Sequence, residues 1–296
     1  MLRPFFYIAA CFAGLLALAP PTQVRAEAPA AAPTRFSVVV EGTGPDLILI
    51  PGLTSSRRVW DQAVASLAGH YRVHRVQIAG FGGEPARGNA TGPVLAPVVE
   101  ELHAYIAAHH LRRPMVAGHS VGGLMTLMLA QRHPEDVSRA LIVDALPFYA
   151  TLFGGTSVAS VEPQAAAMRD GIGTMSDEAW RAQQQGTIAA MVGNEGARGR
   201  VMEDSLASDR GVVARALYDD LTTDVRPGLG AMQTPIIVAY EVNEAAPEER
   251  YGQLVRTSYA AAPHVRFIAV AQSRHFIMLD QPARFAEILA AFAAGN

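Results

Sequence analysis

The chain has 296 residues, of which 50% are hydrophobic and 17% charged, so a sizeable core can be buried and wholesale disorder is excluded. A formal net charge of −3 argues against nucleic acid or an anionic membrane surface as the main partner. Lysine is absent, all 24 basic residues being arginine, which excludes Schiff-base chemistry.

Taken in chain order, the N-terminus reads as a leader. Met1-Leu2-Arg3 supplies a positive start, Phe5 to Ala19 is apolar, and Val24-Arg25-Ala26 offers a small-residue cleavage site. These are the three parts of a secretory signal peptide over residues 1–26, cleaved after Ala26. Pro20-Pro21 ends the apolar stretch short of the roughly 20 residues a membrane span needs, so no stable membrane anchor is expected. The single cysteine, Cys11, leaves with the leader, and the mature chain then has neither disulfide nor thiol chemistry. Export without disulfides suits a periplasmic or secreted protein. Residues 27–33, rich in Ala and Pro, read as a flexible leader into the domain.

Thr34 to Glu41 alternates, with Phe36, Val38 and Val40 on one face, as in a half-buried strand. Leu47 to Ile50 is wholly apolar, the pattern of a strand covered on both faces, and it stops at Pro51-Gly52-Leu53. A helix is expected from Arg57 to Ala68, a strand from Tyr71 to Ile78, and a helix from Val94 to His110. Further strands are expected at Ala140–Val143, Ile236–Tyr240 and Val265–Val270, with a closing helix over Gln281–Ala294. Strands alternating with helices predict an α/β fold, a mostly parallel central sheet flanked by helices. Between Asp144 and Pro235 the strand signal vanishes, and helical pieces are expected near Asp177–Val192 and Val213–Leu221. That gap is too long for a plain loop. It divides the chain into a core over 34–145 and 231–296 and an inserted helical cap over 146–230.

The centre of the chain is Pro114 to Ala130. A short apolar run ends at Gly118, His119 and Ser120 follow, and Val121-Gly122-Gly123 leads into an unbroken helix-forming stretch. This is a strand, a sharp turn and a helix carrying G-x-S-x-G. A serine at the tip of such a turn is exposed at the end of a sheet, provided that its neighbours two before and two after are small. Ser120 is therefore the candidate nucleophile.

With Pro51-Gly52-Leu53, Gly118 to Gly123, Ser273-Arg274-His275-Phe276 and Leu279-Asp280-Gln281-Pro282 in view, the mature chain resembles the α/β-hydrolase fold superfamily, in its capped serine hydrolase and esterase branch. The resemblance implies His275, in the loop before the last helix, as the base. The third member stays open. Asp144, at the end of the strand after the serine helix, is the first choice. Glu244 is the alternative, in a loop reading Glu241-Val242-Asn243-Glu244 where the family pattern has G-x-x-D, and Glu241 stands behind it. The resemblance also implies an oxyanion hole from the backbone N–H groups of Leu53 and Val121. His119 is read as a neighbour of the site without being the base. Arg57 and Arg58 are candidates to meet an acidic substrate, and His103, His109 and His110 a bare suggestion of metal; a solvated helix face explains each more simply.

No nucleotide, flavin or metal cofactor is indicated, since no Gly-rich spacing opens a helix after a strand in the way phosphate binding requires. The expected activity is hydrolysis of a carboxylic ester, or a related acyl bond, of a small or medium, mainly apolar molecule through an acyl-enzyme. The rivals are a non-catalytic binding protein on the same scaffold, an amide or carbon–carbon bond hydrolase, and a cofactor-free perhydrolase.

Overall fold

A computed structural model of the chain describes Met1, residues 33–65, Leu67 and residues 69–295. The expected signal peptide and leader, Met1 and Pro33 apart, lie outside the described residues, as do Ser66 and Ala68. Among the described residues, no helix is long and apolar enough to cross a membrane.

Seven strands form one sheet: β1 (Phe36–Glu41), β2 (Asp46–Ile50), β3 (Arg72–Ile78), β4 (Met115–His119), β5 (Arg139–Val143), β6 (Ile236–Val242) and β7 (Val265–Ala271). Their order is β1-β3-β2-β4-β5-β6-β7, parallel throughout except for β1, which pairs antiparallel with β3. In β1 the expected alternation fades along the strand: Phe36 is fully buried, whereas Val40 is 48% exposed. The strand lies at the sheet edge, paired on one side only.

The inner strands show why an unbroken apolar run is required. Successive side chains point to opposite faces. Ile48 and Ile50 join one core with Val116 and Ile142, beneath α2 (Leu95–Ala108) and α3 (Val121–Arg132). Leu47 and Leu49 join another with Ala117 and Leu141, beneath α10 (Pro282–Ala294). The four apolar β2 side chains, Leu47 to Ile50, are fully buried, each worth about 1.5–3 kcal/mol of transfer from water. The helix expected from Arg57 begins as a 3₁₀ turn over Arg57–Trp60 and continues as α1 (Asp61–Ala65), seating the Trp60 ring on Phe285 at 5.8 Å.

Between β5 and β6 run four helices, α4 (Val158–Thr174), α5 (Asp177–Met191), α6 (Glu195–Ala207) and α7 (Arg210–Thr222). Sequence periodicity singles out only α5 and α7. Gly171 and Gly173 in α4, and Gly196 and Gly199 in α6, dilute the helical signal, and α4 also contains Pro163. Capping restores what propensity lacks. Ser157, Ser176, Asn194 and Asp209 each accept a bond from an N–H of the first turn, worth about 1 kcal/mol apiece. After β6 come α8 (Gln253–Ser258) and, after β7, the short α9 (Ile277–Asp280).

Register levels the ends of the central strands: Ile50 lies opposite Gly118, and Gly118 opposite Ile142. The loops after β2, β4, β5 and β7 each carry a non-glycine residue with positive φ, at Thr54, Ser120, Asp144 and Gln272. Such conformations cost of order 1–3 kcal/mol each and gather where a fold is shaped for function. They mark the carboxyl end of the sheet, where open α/β sheets place their ligands.

Candidate active site

Ser120 sits between β4 and α3 with φ 53° and ψ −125°. The turn closes through Ser120 N–H to Val143 O at 2.9 Å and Gly123 N–H to Ser120 O at 2.7 Å. Its glycines are dictated by contact. A Cβ on Gly118 would lie 2.1 Å from Gly122 O, and one on Gly122 would lie 2.4 Å from Ile50 O. Gly52, in the loop after β2, comes so near that a Cβ there would be 3.1 Å from the Ser120 Cβ. Leu53 is the chain neighbour of Gly52, and Val121 that of Ser120. Among the described residues, neither of their N–H groups is used in the backbone hydrogen-bond network.

His275 lies in the loop between β7 and α9, and its Nδ1 is 2.6 Å from Asp144 Oδ2. The Asp144 side chain is 1% exposed. Its other oxygen accepts from Glu241 N–H at 3.1 Å and from the Tyr251 hydroxyl at 3.1 Å. With Nδ1–H donating to the carboxylate, Nε2 of a neutral His275 carries the free lone pair. Burial lowers the imidazole pKa, but the Asp144 hydrogen bond and the charges of Asp144, Glu241 and Asp220 outweigh it and hold His275 above its ordinary value. Ser120 and His275 line the same cavity.

The other sequence candidates are distributed around this pair. Glu244 does not reach His275: it is exposed and lines a separate surface groove with Arg274 and Gly193. Asn243 is responsible. Its Oδ1 accepts from Ala245 and Ala246 N–H at 2.9 and 3.0 Å, and its Nδ2 donates to Ser273 O at 2.8 Å, curling the loop so that Glu244 turns outward. Glu241 stays half-buried beside the site, its Oε2 accepting from Asn243 Nδ2 at 2.6 Å. Burial and the Asp144 charge push its pKa up to about 7.

His119 is fully buried, its ring 4.6 Å from that of His275. Its Nε2–H donates to the His275 carbonyl at 3.0 Å, so Nδ1 is the unprotonated nitrogen. Burial and the neighbouring His275 keep its pKa well below the ordinary range. It is a neutral prop for the His275 backbone. Arg57 and Arg58 are used structurally: Arg57 donates to Ser37 Oγ, and Arg58 pairs with Asp204 of α6 at 2.5 Å. His103, His109 and His110 do not converge. His103 bonds Asp136 at 2.7 Å and stacks on His133, while His109 packs against Tyr105.

Two residues that sequence reasoning passed over belong here. Asp280, in α9, accepts from Arg274 N–H at 2.7 Å, Gly193 N–H at 3.0 Å and Asn194 N–H at 2.8 Å. It therefore joins the His275 loop to the α5–α6 connection. Its place in the Leu279-Asp280-Gln281-Pro282 motif was visible, but its partners were not. Asp220, on α7, shares a face with Val213 and Leu217 and is 8% exposed. The helical spacing of those three was the available signal, concealed because Asp219 beside it makes the pair look like a solvated acidic end.

The cleft has two lobes. The larger, about 470 Å³, runs past Asp144, Glu241, Asn243 and Arg250. The smaller, about 240 Å³, is mainly apolar, bounded by Ile172, Trp180, Ile188, Val213 and Leu217 of the inserted helices. Ser120, Tyr149, Met191, Asp220 and His275 border both. A hydroxyl and an imidazole held by a carboxylate, bordering one cleft, are parts that nucleophilic acyl chemistry needs.

Residues 47–288 match the profile of the Alpha/beta hydrolase family. Among curated proteins, the chain is similar to a pimeloyl-[acyl-carrier protein] methyl ester esterase of Aeromonas hydrophila subsp. hydrophila. The two are 38% identical over 117 residues, 38% of this chain and 44% of that protein. It is also similar to a putative carbamate hydrolase RutD of Yersinia enterocolitica, 33% identical over 101 residues, covering 34% of this chain and 36% of the relative. The chain thus spans less than half the length of the curated relatives it matches. Among solved structures, it superposes on the enol-lactonase of Burkholderia xenovorans LB400 with a TM-score of 0.70 at 18% identity, covering 88% of this chain and 96% of that one. A thermophilic esterase of Thermogutta terrifontis gives 0.71 at 18% identity, covering 88% and 93%. At that identity the likeness is one of fold.

Proposed function

The chain belongs to the alpha/beta hydrolase family, and on that premise we propose that it is a serine hydrolase cleaving a carboxylic ester of a small or medium, mainly apolar acyl compound. The observation that carries the reading is the 2.6 Å contact of His275 Nδ1 with a buried Asp144, in a cavity that Ser120 also lines. His275 Nε2 takes the Ser120 proton as Oγ attacks the carbonyl carbon. The Leu53 and Val121 N–H groups hold the oxyanion, and the imidazolium returns the proton to the leaving alkoxide. Water, deprotonated by the same imidazole, then releases the acid and restores Ser120. The apolar lobe supports an apolar acyl chain, and the esterase and carbamate hydrolase relatives support acyl-bond hydrolysis. The leader-like residues 1–26 support a periplasmic or secreted enzyme, which N-terminal mass analysis of protein from the periplasm and medium would check.

The test is p-nitrophenyl ester hydrolysis over increasing acyl length, with wild type beside Ser120→Ala. Hydrolysis that requires Ser120 supports the reading, with an optimum at the chain length the apolar lobe accepts. Wild-type rates no faster than Ser120→Ala on every ester would rule it out.

A further inference from the structure

The acyl-transfer machinery leaves Asp220 unused. It projects from α7 into the junction of the two lobes, beside Ser120 and His275. The residue is 8% exposed, and among the described residues it has neither a hydrogen-bond nor an ion-pair partner. Its nearest charged neighbours are His275 across the cleft and Asp219 on its own helix; Tyr149 faces it from the 3₁₀ turn Tyr149–Phe153. A carboxylate largely removed from water and open only to the cleft, with no protein partner, is costly, and a fold retains one most readily where something binds to it. The charge lining the larger lobe points the same way. Asp144, Asp220 and Glu241 border it against one arginine, the exposed Arg250, and the His275 imidazole, which is already paired with Asp144. Recessed acids of one sign concentrate their field and favour a cation in the cleft.

We propose that Asp220 is a substrate-recognition residue, and that the cleft takes an ester carrying a compact cationic group, a protonated amine, which pairs with Asp220 while the reacting carbonyl lies at Ser120. The proposal rests on the ester-hydrolase reading for the placing of that carbonyl. Burial and the Asp219 charge push the Asp220 pKa up to about 7, so above neutrality the carboxylate is ionised and available to a cation. Glu241 adds a second negative group farther along the larger lobe.

The test uses methyl ω-amino esters of two to six carbons, each matched with the methyl alkanoate in which a methyl group replaces the ammonium. Turnover at pH 8 is compared in wild type, Asp220→Asn and Asp220→Leu. Binding of the same pairs to Ser120→Ala, and to Ser120→Ala carrying Asp220→Asn, is measured by calorimetry. At the best chain length, wild type is expected to prefer the amino ester by about tenfold or more. Asp220→Asn should abolish that preference and Asp220→Leu reverse it. The near-isosteric asparagine keeps the test standing if the leucine variant fails to fold. A wild-type preference for the alkanoate, or a preference unchanged in Asp220→Asn, would overturn the proposal. Absent turnover with the binding preference intact would remove the hydrolase reading alone, whereas turnover without the preference would remove this one alone.

Discussion

The backbone N–H of Glu241 donates to Asp144 Oδ1 at 3.1 Å, so the loop that competes for the acid's role instead helps hold the acid that contacts His275. The Glu241 carboxyl remains close enough to raise the His275 pKa and to have its own raised by Asp144. Glu241→Gln removes that negative neighbour. His275 should then lose its proton at lower pH, and the acid limb of the kcat/KM profile should move to lower pH with little change in the plateau. A limb that stays in place would show that Glu241 is not felt at the imidazole.

Asp144→Asn keeps the shape but can no longer fix the tautomer or stabilise the imidazolium. Ester turnover should fall by about 10³–10⁴-fold, with KM changing far less. Glu244→Gln, at an exposed position, should change the rate less than about twofold. Steady-state kinetics on one p-nitrophenyl ester checks both. A large loss in Glu244→Gln would mean that the 241–246 loop rearranges when substrate binds.

Asp220 ties stability to pH. Its pKa rises from 3.8 to about 7 on folding, so between those values the folded chain binds more protons than the unfolded one. Stability then falls as pH rises through that window. Asp220→Asn removes this dependence. Its Tm relative to wild type should therefore climb between pH 4 and pH 8 and level off above, as thermal melts at stepped pH would show. Glu241, raised to about 7 from 4.5, contributes in the same direction.

Asp280 accepts three backbone N–H groups across two segments, and hydrogen bonds to a charged group are worth about 1.5–3 kcal/mol each when broken. Two of the three bonds are exposed, where water replaces them, so Asp280→Ala should lower stability by about 3 kcal/mol, less than the full sum. It should also raise amide exchange at Arg274, Gly193 and Asn194 ahead of the sheet. Exchange that rises evenly over the whole chain would point to a global effect instead.

Gly122→Ala sets a methyl group 2.4 Å from Ile50 O and 2.7 Å from Pro51 O, both backbone atoms with little room to move. The expected loss is about 3 kcal/mol or more. A denaturant melt would register it, and any protein that folds should have lost ester turnover because the serine turn is displaced. Gly186, with open space around its Cα, is the control: Gly186→Ala should be neutral or slightly stabilising.

Much of this protein was legible because its signals are local. The Leu47–Ile50 run, the alternation of strands with helices and the Gly118 to Gly123 spacing each encode a backbone shape within a few residues. From them follow the sheet, the serine turn and the loop that carries His275. The partner of His275 was legible only as a choice, with Asp144 placed ahead of Glu244, because the decision between them depends on how two loops distant in sequence pack. Asn243 satisfies the N–H groups of Ala245 and Ala246 and turns Glu244 to solvent, while the Asp144 carboxylate is buried beside Tyr251. No spacing records that choice. Asp220 was hidden for the same reason: next to Asp219 it has the pattern of a wet helix end, and only the docking of α7 over the serine shows that it faces inward. The sequence by itself determined the strands of the core and the serine turn, since steric fit between near neighbours settles both. Tertiary structure alone decided which carboxylates meet the imidazole and the cleft, since burial and charge act between groups that the chain brings together only once it has folded.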